Sequence, residues 1–439
     1  MEMPTKMNVV GGDVKACADA NNKNWDEIST NDTASKPRAD FGNTEKRMID
    51  SVAVKEAHGY SFASTSWSDG TTFDFPFMFL RDNCQCSACF DHSSGQRKVM
   101  IDTIGDDIKG ETTISAGGLS LVWKDGHRSV FSADWLGKRV PNDAAKQSDL
   151  RKVEWEPWSA QDMQKRCSRH NYSQVMEDGE GLRSLIKDLW VHGLAVIHNA
   201  PKQQGVVEKI ANRVSLIGML KSNYGTTFDV QTKLDPSNLA YTPVELPLHS
   251  DLVQYDRKPQ IQMLHCIAQS AKGGDNTFLD GLYVTERFKE QYPEEYKLLC
   301  SEDIFLSDAG SDVAGRYDIK NEAPLIETDK QGRFKSLNFN NHIRGSLMLQ
   351  NPERWAKVYS AIRTFYTFMK QDEFVFNIRL ESGDVVIFNN IRTLHGRRAY
   401  QLPEQGAEMS ARHLQGCYLD WDNVFSAYRT ARSEVGQEG

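Results

Sequence analysis

The chain has 439 residues, of which 39% are hydrophobic and 26% charged, a composition typical of soluble globular proteins with a sizeable core. Its 60 acidic and 52 basic residues give a formal net charge of -8 and form no block of one sign, which argues against attraction to nucleic acid or to an anionic membrane. No apolar run approaches the ~18 residues of a membrane span, and the first residues lack a secretory signal, so we expect a cytoplasmic protein.

The first 48 residues are rich in Asn, Asp, Lys, Ser and Thr and show no apolar periodicity. A segment of this composition cannot bury enough surface to offset the entropy lost on ordering, so it predicts a disordered polar tail over residues 1–48. Its acidic residues, among them Asp13 and Asp19, argue against a mitochondrial transit peptide, which is poor in acids.

Residues 49–150 contain short extended runs, such as FDFPFMFLRDN and LSLVWKDGHRSVF, separated by Gly and Asp turns. This pattern predicts a small β-rich domain. Residues 151–175 are irregular and polar with scattered Trp, which predicts a linker. In residues 176–439, a helix-to-strand unit is followed by many strand-like runs and few helices. That balance favours a mainly β fold with flanking helices (α+β), built as an antiparallel double sheet.

A metal site is predicted by the triplet His249-Ser250-Asp251, which follows LPL in a stretch with an extended pattern. Alternation along a strand places His249 and Asp251 on the same face. His395, at the end of the strand-like run GDVVIFNNIRTLH, is the candidate third ligand. Two imidazoles and one carboxylate leave three octahedral positions open, which suits Fe(II) oxygen chemistry better than a closed tetrahedral zinc site.

An arginine in the run SARHLQGCYLD is the candidate anchor for 2-oxoglutarate, the cosubstrate that such an iron site uses. The guanidinium of Arg412 can form two charge-assisted hydrogen bonds with the distal carboxylate of that acid. Alternation places Arg412 and Tyr418 on the same face of the strand. Arg397 and Arg398 are rivals, but their closeness to His395 favours contacts with local turns or solvent.

Three of the eight cysteines, Cys84, Cys86 and Cys89, lie together in the segment CQCSAC. Three thiolates with one further ligand form a closed tetrahedral site, so the segment predicts a structural zinc. His92, just after the segment, is one candidate for the fourth ligand.

Several separated motifs occur in one order along the chain: LRDNCQCSAC, LHSD, MLHCI, GGDNTFLDG, NFNN, LHGRRAY and RHLQGCYLDWD. Through them, the chain from about Phe73 to Arg429 resembles the γ-butyrobetaine hydroxylase family and its relatives, the trimethyllysine dioxygenases. The resemblance implies a double-stranded β-helix (jelly-roll) oxygenase core, preceded by a small β-rich zinc-binding domain, in a homodimer. It also implies Fe(II) at the His249, Asp251 and His395 ligands, 2-oxoglutarate on Arg412, O2 as cosubstrate and ascorbate as reductant.

The same resemblance assigns further residues. It makes His127, in VWKDGHRSVF, the fourth zinc ligand in preference to His92. For the substrate it implies an aromatic box around a trimethylammonium group, which aromatic faces attract, and two amides for the carboxylate. The matching positions are Tyr224, Phe228, Tyr241 and Tyr418 for the box, and Asn238 and Asn340 for the amides.

The function expected from the resemblance is hydroxylation of γ-butyrobetaine to L-carnitine, with CO2 and succinate as co-products. Three alternatives stay open: a trimethyllysine dioxygenase, a taurine-type oxygenase acting on another small acid, and a zinc-stabilised binding protein without turnover. The intact iron ligands and Arg412 argue against the last, and the aromatic box argues against the taurine-type reading.

Overall fold

The computed structural model describes residues 47–105, 108–115, 118–140, 150–232, 239–269, 272–346, 351–401 and 412–435. The chain divides into two compact units, Met1–Asp149 and Leu150–Gly439. The tail predicted over residues 1–48 lies outside the described residues except for its last two.

The first unit is built from short antiparallel sheets around an aromatic core, which confirms the prediction of a small β-rich domain. Strand β2 alternates buried and partly exposed positions along its length, so one face packs inward and buries Trp67. Phe75, Phe77 and Trp123 complete the centre of this core. The elements are β1 (Ile49–Ala57), β2 (Tyr60–Trp67), β3 (Thr72–Pro76), α1 (Phe77–Asp82), β4 (Phe90–Asp91), β5 (Gln96–Arg97), β6 (Gly110–Ser115), β7 (Gly118–Trp123), β8 (Arg128–Phe131) and α2 (Ala133–Gly137).

The second unit has more strands than helices, as the sequence predicts. Its first elements are α3 (Ala160–Arg166), β9 (Arg169–Asn171), α4 (Tyr172–Glu177), α5 (Gly179–His192), β10 (Leu194–His198), α6 (Val206–Val214), β11 (Thr227–Gln231), β12 (Leu246–His249), β13 (Ile261–Ala268) and β14 (Asn276–Asp280). They are followed by α7 (Gly281–Gln291), α8 (Pro293–Ser301), β15 (Asp303–Asp312), β16 (Gly315–Pro324), β17 (Ile326–Thr328), β18 (Phe334–Leu337), α9 (Pro352–Phe368), β19 (Phe376–Ile378), β20 (Val385–Asn389), β21 (Thr393–Arg397), β22 (His413–Leu419) and α10 (Trp421–Val435).

Two sheets form the core of this unit and confirm the predicted double-stranded β-helix. One sheet has six strands in the order β11-β22-β13-β20-β10-β9, and the other has four in the order β12-β21-β14-β19. Neighbouring strands are antiparallel except β9 and β10, which are parallel. Apolar side chains of both sheets meet between them, where the rings of Phe278 and Phe388 lie 5.4 Å apart between centroids. Helices cover the outer faces.

The prediction of a linker over residues 151–175 is wrong, because this segment contributes to the second unit. Ser159 and Asp162 cap the start of α3 with reciprocal hydrogen bonds, and β9 extends the six-stranded sheet beside β10. Trp158 is buried and its Nε1 donates to the carbonyl of His192 at 2.6 Å. The polar residues that suggested a linker therefore serve as helix caps and as an edge strand.

A buried ion pair fixes the start of β21, the strand that carries His395. Both oxygens of Asp280 accept from the Arg392 guanidinium at 2.8 Å, and both side chains are fully buried. Arg392 also donates to the carbonyls of Val191 and Glu156, so these four hydrogen bonds hold its guanidinium inside the protein.

Among the described residues, no helix is both long and apolar enough to span a membrane.

Candidate active site

The three candidate metal ligands converge at one end of the four-stranded sheet. Strands β12 and β21 pair so that His249 lies opposite His395, with 4.2 Å between ring centroids. Asp251 Oδ1 lies 3.2 Å from His249 Nε2 and 3.9 Å from His395 Nε2. One ligand atom from each of the three residues lies within 4.8 Å of the others. The three residues can therefore coordinate one metal ion from one face and leave its other coordination positions open.

Asp251 reaches the site from a turn, whereas the sequence suggested a continuous strand. Strand β12 ends at His249, and Leu252 adopts a positive φ of 57°. The Asn390 side chain holds this turn: its Oδ1 accepts from the Asp251 N–H at 2.9 Å, and its Nδ2 donates to the carbonyls of Asp251 at 3.0 Å and Pro259 at 2.8 Å. Asn390 thus replaces strand pairing in orienting the carboxylate.

Outer contacts orient the ligand atoms of this cluster. Tyr418 Oη donates to Asp251 Oδ2 at 2.7 Å, so Oδ1 is the oxygen directed at the imidazoles. His249 Nδ1 lies 2.8 Å from the carbonyl of Pro247, which as acceptor fixes the proton on Nδ1 and leaves Nε2 available to a metal. Although burial alone raises the pKa of Asp251, the adjacent His395 and His249 lower it below its usual range, so the group is an anion.

Arg412 precedes β22 and its side chain lines the cavity next to the ligand cluster. The residue is 4% exposed, and its Nε has no hydrogen-bond acceptor. Within the described part of the chain, no carboxylate pairs with it, and its neighbour is the Tyr400 ring, 5.5 Å away. Burial and the nearby Arg397 lower its pKa to about 10, so it remains a cation at neutral pH. A buried cation without an anion fits a ligand that brings a carboxylate.

The two rival arginines have other contacts. Arg397 lines the cavity but donates to the carbonyls of Ala240, Thr242 and Val244. Arg398 lies on the surface, 3.3 Å from Glu245. Both terminal nitrogens of Arg397 are held by backbone carbonyls and Arg398 is on the surface, so these contacts favour Arg412 as the group that meets the cosubstrate.

One cavity of about 370 Å³ joins the metal ligands, Arg412 and the predicted aromatic box. The rings of Phe228 and Tyr418 stack with 5.0 Å between centroids, and Tyr224 lies 6.2 Å from Phe228. Tyr241 lines the same cavity. The aromatic faces that the sequence predicts to bind a quaternary ammonium therefore lie together beside the metal ligands.

Of the two predicted amides, Asn340 is the one that lies among the described residues. Asn238 lies outside the described residues. Asn340 lines the cavity, where its Nδ2 donates to the Ser250 carbonyl at 3.4 Å and its Oδ1 accepts from the His342 N–H at 3.0 Å. Sequence reasoning missed Asp308, which reaches this cavity from strand β15.

A second cluster of metal-binding groups lies in the first unit. The distances from His127 Nε2 to the Sγ atoms are 3.2 Å for Cys84, 3.7 Å for Cys86 and 3.5 Å for Cys89. His127 comes from the turn before β8, while the cysteines follow α1. The rival His92 contacts the carbonyl of Gln85 at 2.9 Å instead. Three thiols and one imidazole at these distances can provide a closed tetrahedral zinc site.

The class of protein follows from this architecture and from its relatives. Residues 156–418 match the model of the taurine catabolism dioxygenase TauD, TfdA family, and residues 63–137 match the γ-butyrobetaine hydroxylase-like N-terminal model. The chain is 33% identical over 374 residues to the γ-butyrobetaine dioxygenase of Pongo abelii, covering 84% of this chain and 94% of that one. It is 32% identical over 376 residues to the γ-butyrobetaine dioxygenase of Pseudomonas sp. (strain AK-1), with the same coverage.

Two further proteins show lower similarity to this chain. The mitochondrial trimethyllysine dioxygenase of Homo sapiens is 26% identical over 366 residues, covering 82% of this chain and 83% of that one. The crystal structure of PvcB from Pseudomonas aeruginosa is 18% identical with a TM-score of 0.40, covering 58% of this chain and 83% of that one. The chain belongs to the TauD, TfdA family. Within it, the chain belongs to the family that contains the γ-butyrobetaine dioxygenases and the trimethyllysine dioxygenases. It is an iron- and 2-oxoglutarate-dependent dioxygenase, as the sequence resemblance predicts.

Proposed function

We propose that this enzyme hydroxylates γ-butyrobetaine to L-carnitine and releases CO2 and succinate. The observation that carries the proposal is the single cavity in which the metal ligands, the buried Arg412 and the aromatic box meet. The identity of about a third to enzymes named γ-butyrobetaine dioxygenase supports the choice of substrate. A trimethyllysine substrate is the alternative, since relatives of that name match at lower identity.

In this proposal His249, Asp251 and His395 hold the iron, and the oriented Nε2 and Oδ1 atoms are the ligands. When bound, the iron supplies the activation of O2 at the expense of 2-oxoglutarate, with ascorbate as reductant. Arg412 binds the distal carboxylate of 2-oxoglutarate, and so fixes how far the acid extends from the metal site.

The aromatic box positions the substrate. Phe228 and Tyr418 line the cavity with Tyr224 and Tyr241, and each ring face that meets the ligand contributes about 0.5–2 kcal/mol to binding of a desolvated quaternary ammonium. Asn340, and Asn238 by analogy with the family, bind the carboxylate at the other end of the substrate. Two fixed ends hold the intervening methylene groups near the metal site, which directs hydroxylation to one carbon.

The test is direct. Purified enzyme is incubated with Fe(II), ascorbate and 2-oxoglutarate, and with either γ-butyrobetaine or trimethyllysine, while succinate and the hydroxylated product are measured. We expect succinate to form in step with L-carnitine. Turnover of trimethyllysine alone would identify the other branch of the family, and no succinate with either substrate would support a binding protein.

Gly416 is expected to control the shape of the box. A Cβ at this position would lie 2.4 Å from Phe228 Cζ, so Gly416→Ala must displace that ring. We expect the KM for γ-butyrobetaine to rise roughly tenfold, because overpacking of this kind costs about 1–3 kcal/mol. The KM for 2-oxoglutarate should stay unchanged. Unaltered kinetics for both compounds would show that the Phe228 position is not critical.

We also propose that Cys84, Cys86, Cys89 and His127 bind a structural zinc ion. Cys86→Ser should lose the zinc and lower the Tm of the first unit by about 10 °C or more, because such a metal contributes folding free energy directly. Zinc content by atomic emission and a thermal melt measure the two effects. Cys300→Ser, half-buried and outside the cluster, is the matched control. A Cys86→Ser protein with full zinc and an unchanged Tm would contradict the site.

The cytoplasmic location and the homodimer are part of the same proposal. The family resemblance supports the dimer, and the presence of acidic residues among the first 48 favours the cytoplasm over mitochondrial import. Light scattering on the purified chain tests the first, and imaging of the tagged full-length chain in cells tests the second.

A further inference from the structure

Asp308 is an acidic side chain of the cavity that the chemistry above does not use. It lies on β15, opposite Ile319 of β16, in the long hairpin that these strands form. The side chain is partly buried and lines the same cavity as Tyr224 and Phe228. The hairpin therefore places a carboxylate in the wall of the cavity that also contains the aromatic box.

The described contacts of Asp308 are polar but uncharged. Gln254 Nε2 donates to its Oδ2 at 3.3 Å, and the hydroxyl of Tyr317 is a further hydrogen-bond partner. Gln254 is itself 1% exposed, so this donor is held in place by packing. Within the part of the chain that the structure describes, no lysine or arginine forms an ion pair with Asp308. A partly buried carboxylate without a cation loses hydration, and a ligand with positive charge would compensate it.

The hairpin also holds the part of the box that carries Tyr224. At its tip, the Ala314 N–H donates to the carbonyl of Asn223 at 3.2 Å, directly before Tyr224. Burial, together with the negative charges of Asp251 and Asp308, raises the pKa of the Tyr224 hydroxyl. Asp308 therefore acts electrostatically on Tyr224, one of the aromatic residues that are expected to surround the cationic end of the substrate.

We propose that Asp308 is the counter-ion of the substrate's quaternary ammonium group and determines specificity for charge. This inference rests on the proposed function and deepens it. A tert-butyl group and a trimethylammonium group have the same size, so shape does not separate them, and the aromatic faces favour the cation through cation–π attraction. A carboxylate adds to this preference, since it attracts the cation and remains unpaired with the neutral isostere.

The experiment compares two ligands in the iron-loaded enzyme with 2-oxoglutarate. One is γ-butyrobetaine, and the other is its carbon isostere, in which a tert-butyl group replaces the trimethylammonium group. We expect the wild-type enzyme to prefer the betaine, and Asp308→Asn to reduce the ratio of the two affinities at least tenfold through weaker binding of the betaine. Asp308→Ser should give the same loss, which guards against an effect specific to the amide.

Asp318→Asn is the matched control, because Asp318 lies on the same hairpin, is exposed and pairs with Lys320 at 2.7 Å. It should leave the ratio at the wild-type value, and the KM for 2-oxoglutarate should be the same in every variant. A wild-type ratio in both Asp308 variants would overturn the counter-ion role while leaving the proposed function intact. A wild-type enzyme that does not bind the betaine would instead refute the proposed function, and this inference with it.

Discussion

Replacing Asp251 by asparagine is expected to lower both the affinity for iron and the turnover by more than about 100-fold, since loss of an outer-sphere partner alone costs 10–100-fold. The reason is charge: Oδ1 is the anionic oxygen between His249 and His395, and a neutral amide of the same shape cannot offset the ferrous charge. Ferrous titration without oxygen, followed by the absorption band of the 2-oxoglutarate complex, measures the affinity. Succinate release measures the turnover.

Two variants separate the loss of a ligand from general damage. Asp256→Asn removes an exposed carboxylate from the same stretch of chain and should leave iron binding unchanged. Tyr418→Phe keeps the ring but removes the donor to Asp251 Oδ2, so a smaller loss of about 10–100-fold is expected. An Asp251→Asn enzyme with wild-type iron affinity would show that the carboxylate is not a ligand.

The residues that sequence reasoning brought together are those whose chemistry is tied to a local pattern. His249 and Asp251 are two positions apart, and the apolar run of β20 marks a strand shortly before His395, which itself lies on the next strand, β21. The cluster was therefore predictable before any pairing was known. Asn390 was not, because it contacts the Asp251 turn across 139 residues of chain and an asparagine after a strand has no distinctive pattern. Its role depends on how β20 and β12 are arranged in space, which local sequence does not encode.

The fold, like the site, was predictable from the sequence only in part. The excess of strands over helices predicted an antiparallel double sheet, but not its strand order, because β13 pairs with the distant β20 and β22. Polarity alone could not identify β9 as an edge strand, since the residues that face solvent there are as polar as those of a linker. Asp308 escaped prediction because the hairpin that carries it belongs to no motif of the site and reaches the cavity only through folding.

Arg412→Ala is expected to raise the KM for 2-oxoglutarate by about 100-fold or more while iron binding remains. Two charge-assisted hydrogen bonds of about 1.5–3 kcal/mol each are lost, and every 1.4 kcal/mol corresponds to a factor of ten. Because Arg412 has no carboxylate partner among the described residues, its removal breaks no ion pair there and should leave the fold intact. Initial rates of succinate release against 2-oxoglutarate concentration measure the effect.

Arg398→Ala is the control for Arg412, since it removes a surface guanidinium close to His395 that pairs with Glu245. It should leave the KM for 2-oxoglutarate within about twofold of wild type, because exposed ion pairs contribute little. Arg412→Lys, which retains a charge but not the planar fork, should fall between wild type and the alanine variant. An Arg412→Ala enzyme with a normal KM for 2-oxoglutarate would show that another cation binds the cosubstrate. Arg397, which also lines the cavity, would then be the next residue to test.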